Sequence, residues 1–126
     1  MAGLLALLSP AKTLDMEATH DSLSPETSRT RLVSGTRQLA AHLQESSPQR
    51  LSTLMKISDD LARQNADRWQ KFGRRGNRKG PAAICFRGDV YQGLEAWTMK
   101  ASALKWAQQR LRILSGLYGL LRPLDT

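Results

Sequence analysis

Cysteine is almost missing from this 126-residue sequence: Cys85 stands alone, so no intrachain disulfide can form and a reducing, cytoplasmic setting fits. It lies inside the apolar run Ala82-Ala-Ile-Cys-Phe86, where a thiol is a poor thiolate, and it reads as an inert core residue. Histidine is nearly as scarce. His20 sits in a polar loop and His42 on a solvated helix face, neither with a partner at ligand spacing, so no metal site is expected. Carboxylates number 11 and form no paired helical arrangement, which argues against an iron-sequestering protein. No apolar run is long enough to span a membrane, and the N-terminus, Met1-Ala-Gly-Leu-Leu-Ala-Leu-Leu8, lacks the basic lead of a secretory signal. Internal repeats, low-complexity tracts and a glycine-rich nucleotide fingerprint are also missing, and no cofactor is called for.

What is in short supply overall is negative charge. Lysine and arginine together number 19, giving a formal net charge of +8, an excess that favours a polyanionic partner such as nucleic acid, or an anionic membrane surface, with a basic surface that serves solubility as the plainer reading. Hydrophobic residues at 40% and charged residues at 24% are ordinary for a globular domain. The length suits one domain with a real core.

Three apolar runs each empty into a loop of glycine or proline with reactive polar groups. Leu4–Leu8 leads into Ser9-Pro-Ala-Lys-Thr13, Ala82–Phe86 into Arg87-Gly-Asp-Val-Tyr-Gln-Gly93, and Leu111–Leu114 into Ser115-Gly-Leu-Tyr-Gly119 and Arg122-Pro-Leu-Asp125. Short continuous apolar runs between helical segments suggest buried parallel strands, whose following loops gather on one edge of a sheet. Lys12, Thr13, Ser115 and Arg122 would then offer anion contacts, with Asp89 and Tyr118 beside them. Each loop also has a plainer reading: Lys12 in a structural turn, Asp89 fixing a turn through its side chain.

Between the first two runs the sequence is helical. Ser24-Pro25 carries a helix-start signal, with Leu32, Thr36, Leu39, Ala40 and Leu43 forming one stripe behind it. Ser47-Pro48 repeats the signal. Leu51, Leu54, Ile57 and Ala62 then match the apolar skeleton of a helix-hairpin-helix motif, although Met55-Lys56 and Ser58 stand where that motif carries glycines. An ordinary helix pair would show the same skeleton; Ser58 can cap the second helix, whose free amides attract anions. From Arg63 to Lys79 the bases are Arg63, Arg68, Lys71, Arg74, Arg75, Arg78 and Lys79 against one acid, Asp67, so this stretch contributes +6 of the +8. Gly73–Gly80 reads as a flexible loop, and arginines there suit a phosphate backbone. Trp69 and Phe72 read as core. A last helix, about residues 98–110, should bury Leu104, Ala107 and Leu111, with Trp97 and Trp106 against the sheet.

Ser9-Pro-Ala-Lys-Thr-Leu-Asp15, Ile57-Ser-Asp59, Gly88-Asp-Val-Tyr-Gln-Gly-Leu94 and Leu114-Ser-Gly-Leu-Tyr-Gly-Leu-Leu-Arg-Pro-Leu-Asp125 occur in the order of the YaaA peroxide-stress family, which the chain resembles along its whole length. Members continue well beyond this length, so the resemblance implies an N-terminal half: one incomplete domain over 1–126 with a helical hairpin subregion at about 47–72. It also implies a place in the peroxide-stress response, through protection of DNA and limitation of free iron.

The expected fold is therefore α/β, a small sheet with strand-end loops and an inserted helix-hairpin-helix-like segment. The expected function is largely sequence-independent binding of duplex or branched DNA, through Lys56, Ser58 and the seven bases of residues 63–79, by a cytoplasmic, non-membrane protein. The alternative is an enzyme acting on a nucleotide or damaged base. There Lys12 and Arg122 would hold phosphate, Asp89 would be the acid or base, and Tyr118 would orient a ring. The binding protein is favoured over the enzyme.

Overall fold

A computed structural model of the chain describes residues 3–126; Met1 and Ala2, part of the N-terminus read above, lie outside the described residues. In chain order the elements are β1 (Ala6–Leu8), β2 (Thr13–Leu14), α1 (Val33–Gln44), α2 (Pro48–Met55), α3 (Asp59–Lys71), α4 (Ala82–Cys85), β3 (Phe86–Arg87), α5 (Asp89–Leu94), a 3-10 turn (Ala96–Thr98), α6 (Ala101–Arg110), β4 (Leu111–Ser115) and β5 (Gly119–Leu121). The class is mixed α/β. The chain divides into two compact units: the described residues up to Leu32 together with Arg78–Thr126, and Val33–Asn77.

The first unit is built on a three-stranded sheet in the order β1-β4-β5. β1 and β4 run parallel with Leu8 opposite Ile113, and β4 turns back into antiparallel β5 with Ser115 opposite Gly119. β2 and β3 form a separate antiparallel pair, Thr13 opposite Arg87. Burial of Ile84, Tyr91, Leu104, Ile113, Leu121 and Leu124 makes one core, with Leu8, Phe86, Trp97 and Tyr118 packed around it. Apolar burial of this kind is the main force holding such a unit together.

Two strand and helix expectations fail here, for the same kind of reason. The apolar run Ala82–Phe86 is not a strand: Ala82–Cys85 is one helical turn, and only Phe86–Arg87 is extended. The amides of Ala82 and Ala83 donate to the carbonyls of Asp125 and Pro123, while those of Ile84 and Cys85 fold back on the Pro81 carbonyl. The run is buried in either conformation, and periodicity alone does not separate the two. Ser24-Pro25, likewise, starts no helix. Ser28 bridges to Asp125, donating its amide to the Leu124 carbonyl and accepting from the Thr126 amide, and this distant pairing holds the segment extended until α1 opens at Val33.

The last helix is shorter than expected, buries Leu104 and Ala107, and yields to β4 at Leu111. Trp97 packs on the core as expected, but Trp106 does not lie against the sheet. It is exposed, with the Arg110 guanidinium 4.8 Å from its ring centre. His20 lies in a loop as expected, but out of solvent. It is buried, accepts the amides of Ser22 and Leu23 on Nδ1, and turns Nε2 to the Met99 carbonyl at 2.6 Å. Both ring nitrogens are thereby committed to the backbone.

In the second unit α2 and α3 start on the signals read from the sequence. The Ser47 hydroxyl accepts the Arg50 amide with Pro48 in the first turn, and the Ser58 hydroxyl accepts the Leu61 amide, each satisfying an amide that has no partner within its helix. Lys56 ends α2 in the left-handed region, at φ 54°, and the Ser52 hydroxyl donates to the Ile57 carbonyl to close the connection. Leu51, Ala62, Thr36 and Ala40 are buried. Gln44 ties α1 to α3, donating to the Trp69 carbonyl and accepting from Gln70 Nε2. Leu32 and Leu39 of the expected stripe are half exposed instead. Trp69 and Phe72 are partly buried against each other, ring centres 5.6 Å apart.

Candidate nucleic-acid interface and strand-end site

The basic surface and the strand-end loops fall mainly in different units and are built up separately. In the second unit, Lys56, Ser58, Arg63, Arg68, Lys71, Arg74 and Arg75 are all exposed. Arg63 is paired with Asp60 at 3.0 Å, one turn away on α3. Arg68, Lys71, Arg74 and Arg75 have no acidic partner among the described residues. After Lys71 the backbone turns through Gly73 and Gly76, both at positive φ, and is held locally by the Asn77 side chain donating to the Lys71 carbonyl. Arg78 and Lys79 follow in the first unit, both exposed, and Arg78 pairs with Glu17.

The hairpin itself is electrostatically mixed. Lys56 stands at the connection, but Asp59 and Asp60 fill the first turn of α3 and Ser58 already takes one of its free amides. Carboxylates there stabilise the helix and repel an incoming phosphate. The basic density lies at the other end of α3, where Arg68 and Lys71 close the helix and Arg74 and Arg75 follow.

In the first unit, parallel pairing of β1 with β4 sends the loops after both strands out over the same sheet edge. The segment after β1 is fastened along Arg87–Leu94. Thr13 pairs with Arg87, the buried Tyr91 hydroxyl donates to the Ser9 carbonyl, and a Cβ built on Gly88 would touch the Ala11 side chain at 3.5 Å. Lys12, Thr13 and Asp89 are therefore carried on adjacent segments, all exposed, and neither Lys12 nor Asp89 has an ion-pair partner among the described residues. The turn after β4 holds Ser115, whose hydroxyl accepts the Tyr118 amide. Tyr118 is partly buried, and burial pushes its phenol above the ordinary value.

Arg122 is placed differently. Its Nη2 lies 2.9 Å from an Asp125 carboxylate oxygen and donates to the Arg29 carbonyl, while Nε and the backbone amide also donate to that carboxylate. Asp125 is buried and also accepts the Ser28 hydroxyl at 2.6 Å. The Arg122-Pro-Leu-Asp125 turn thus works as a clasp. Its carbonyls receive the first amides of α4, its carboxylate holds Ser28, and Gln108 links Ser28 to the Leu124 amide. A carboxylate three residues after an arginine across a proline was a legible signal for this pairing.

Arg87 carries no motif that marks it in the sequence. Its guanidinium stacks 3.9 Å over the Trp97 ring, and its Nε is buried without a hydrogen-bond partner among the described residues. Cys85 is buried beside it, the thiol pushed up mainly by burial and secondarily by Asp15, against a lowering by Arg87. No helix among the described residues is long and apolar enough to cross a membrane.

Residues 4–126 match the family described as Peroxide stress protein YaaA. A UPF0246 protein of Idiomarina loihiensis is 46% identical over 124 residues, covering 97% of this chain and 47% of that protein. One from Cereibacter sphaeroides is 48% identical over 125 residues, at 97% and 48% coverage, and one from Marinomonas sp. is 47% identical over 125 residues, at 94% and 46%. The chain spans about half the length of these curated relatives. On a match that runs almost end to end along these 126 residues, the chain belongs to the YaaA peroxide stress protein family.

Proposed function

We propose that this chain binds DNA with little regard to sequence and does so as part of the cell's response to peroxide, as a cytoplasmic protein. The observation that carries the proposal is the run of exposed bases from the last turn of α3 onward: Arg68, Lys71, Arg74, Arg75 and Lys79 lack acidic partners among the described residues. Cations held this way gain by displacing counterions from a phosphate backbone, an interaction indifferent to base sequence. Lys56 and Ser58 contribute from the hairpin, but Asp59 and Asp60 beside them shift most of the binding to the C-terminal end of α3 and its loop. The peroxide context is supported by family membership.

Fluorescence anisotropy with labelled duplex, junction and single-stranded DNA across a salt series tests this. Affinity should fall log-linearly with salt, and replacing Arg74, Arg75, Arg78 and Lys79 by Ser should flatten the slope by about 0.9 for each phosphate the variant no longer neutralises. A folded chain that binds no DNA at low salt ends the proposal.

A second reading is favoured by one observation, the side-by-side placement of Lys12 and Asp89 on segments fastened by Tyr91 and the β2–β3 pair. A nucleotide-acting enzyme would use Lys12 for phosphate, Asp89 as acid or base and Tyr118 against a ring. Arg122, turned to Asp125, leaves Lys12 as the anion-binding group. Asp89→Asn should then abolish turnover and spare duplex affinity; loss of both or neither defeats this reading.

A further inference from the structure

Arg87 is set apart from Lys12 and the surface arginines because its guanidinium is pinned. One face lies on the Trp97 ring, 3.9 Å from the ring centre, and Nε is out of solvent. A guanidinium carries its N–H donors in its own plane, so a stacked ring takes the face and leaves the donors at the edge to find acceptors. Among the described residues none accepts from Arg87: Nε is buried without a partner, and the two terminal nitrogens, which are not buried, have none either. No carboxylate among the described residues pairs with it. Asp15 turns Oδ1 to the Glu17 amide, and Asp89 is exposed. A cation stripped of water on one side and left without a counter-charge attracts an anion more strongly than a fully solvated one.

The pinned cation has other donors beside it. Arg87 stands directly opposite Thr13 in the antiparallel β2–β3 pair, and residues so paired project from one face with Cβ atoms about 4.5–5.5 Å apart. The exposed Thr13 hydroxyl is therefore within side-chain reach of the guanidinium. Thr13 begins β2 and Arg87 ends β3, so both lie at the same end of the ribbon. Lys12, exposed and without an ion-pair partner among the described residues, is next in the chain at that end. Two cations and a hydroxyl, from segments far apart in sequence, are thus carried to one place. Such a donor set suits a phosphate group, whose oxygens outnumber those of a carboxylate and accept from arginine in pairs.

We infer that Arg87, with Thr13 and Lys12, forms a binding site for a phosphate group, Arg87 giving its terminal N–H groups to two of the phosphate oxygens. Arg87 is then a second anion-binding group beside Lys12. Trp97 is its positioning residue: by holding the guanidinium in one place it reduces the freedom lost when the ligand arrives. The inference rests on the strand-end reading only in sharing Lys12 with it. It needs no turnover and no part from Asp89, so binding alone decides it.

Titration calorimetry of the chain with inorganic phosphate, AMP and adenosine tests this. Phosphate and AMP should bind, and adenosine should not. Arg87→Gln should weaken both at least about tenfold, the loss of charge-assisted hydrogen bonds. Thr13→Val and Lys12→Met, at exposed positions, should each weaken them about threefold or more and leave thermal unfolding unchanged. Trp97→Leu should weaken binding, and Trp97→Phe, which keeps a ring under the guanidinium, should recover most of it. Asp89→Asn should not weaken binding, which separates this site from the acid–base role. Tighter binding of AMP than of phosphate marks a mononucleotide as the source of the phosphate. Displacement of phosphate by duplex DNA, in a chain with Arg74, Arg75, Arg78 and Lys79 changed to Ser, marks a nucleic-acid backbone instead; either result upholds the site. A folded chain that binds no phosphate, or binding that Arg87→Gln leaves unchanged, overturns the inference. Should Arg87→Gln fail to fold, indifference to both Thr13→Val and Lys12→Met overturns it equally.

Discussion

Replacing Asp125 by Ala should be among the most damaging single changes available in this chain. The carboxylate is fully buried and accepts from the Ser28 hydroxyl, the Arg122 amide and the Arg122 guanidinium, whose side chain is 19% exposed. Its removal leaves a mostly buried cation without a counter-charge and two further donors without an acceptor. Breaking a buried pair in this way costs about 3–5 kcal/mol, a large fraction of the roughly 5–15 kcal/mol that holds a domain folded. Urea unfolding followed by tryptophan fluorescence would measure the loss. A double-mutant cycle with Arg122→Met sharpens it: with the cation gone as well, the double variant should be less destabilised than the sum of the two single variants, by about 1–3 kcal/mol. A loss under about 1 kcal/mol for Asp125→Ala, or strict additivity in the cycle, would refute the clasp.

Lys56→Gly should stabilise the second unit by about 1 kcal/mol, since Lys56 holds a left-handed conformation that costs a side-chain-bearing residue about that much; the shift in urea midpoint reads it. Gly119→Ala should do the reverse, by about 1–3 kcal/mol, because Gly119 sits at φ 74° and an added methyl would meet Leu32 Cδ1 at 2.5 Å; thermal unfolding reports it. Burial raises the phenols of both Tyr91 and Tyr118. The folded chain therefore keeps these protons to higher pH than the unfolded chain does. Their contribution is complete below about pH 10 and is lost as pH rises through the folded-state values. Urea midpoints taken from pH 9 to 11 should show this fall, and it should be shallower in Tyr118→Phe.

Elements whose causes lie within a few residues were legible in the sequence. Ser47-Pro48 and Ser58 open α2 and α3 because a hydroxyl and its amide are near neighbours in the chain, and the charge surplus of residues 63–79 is a property of composition. The mixed α/β class followed from the alternation of apolar runs with helical stretches, and the family from the order of four motifs. Lys12 and Asp89 are linked in the sequence by the likeness of their loops, and the Thr13–Arg87 register places their segments side by side. Two of the failures turned on partners far along the chain. Ser24-Pro25 has a helix-start signal, but the backbone of Ser28 finds Leu124 and Thr126. Ala82–Cys85 has strand composition, but its first two amides find the carbonyls of Asp125 and Pro123. Arg122 is attractive for phosphate until Asp125 takes it. In each case a local preference of about 1 kcal/mol competed with a buried hydrogen bond or ion pair whose absence would cost more. Sequence by itself determined the caps, the charge and the family; tertiary structure decided which polar groups remained free to meet a ligand, because each buried donor must find an acceptor and residue spacing does not reveal which one is near.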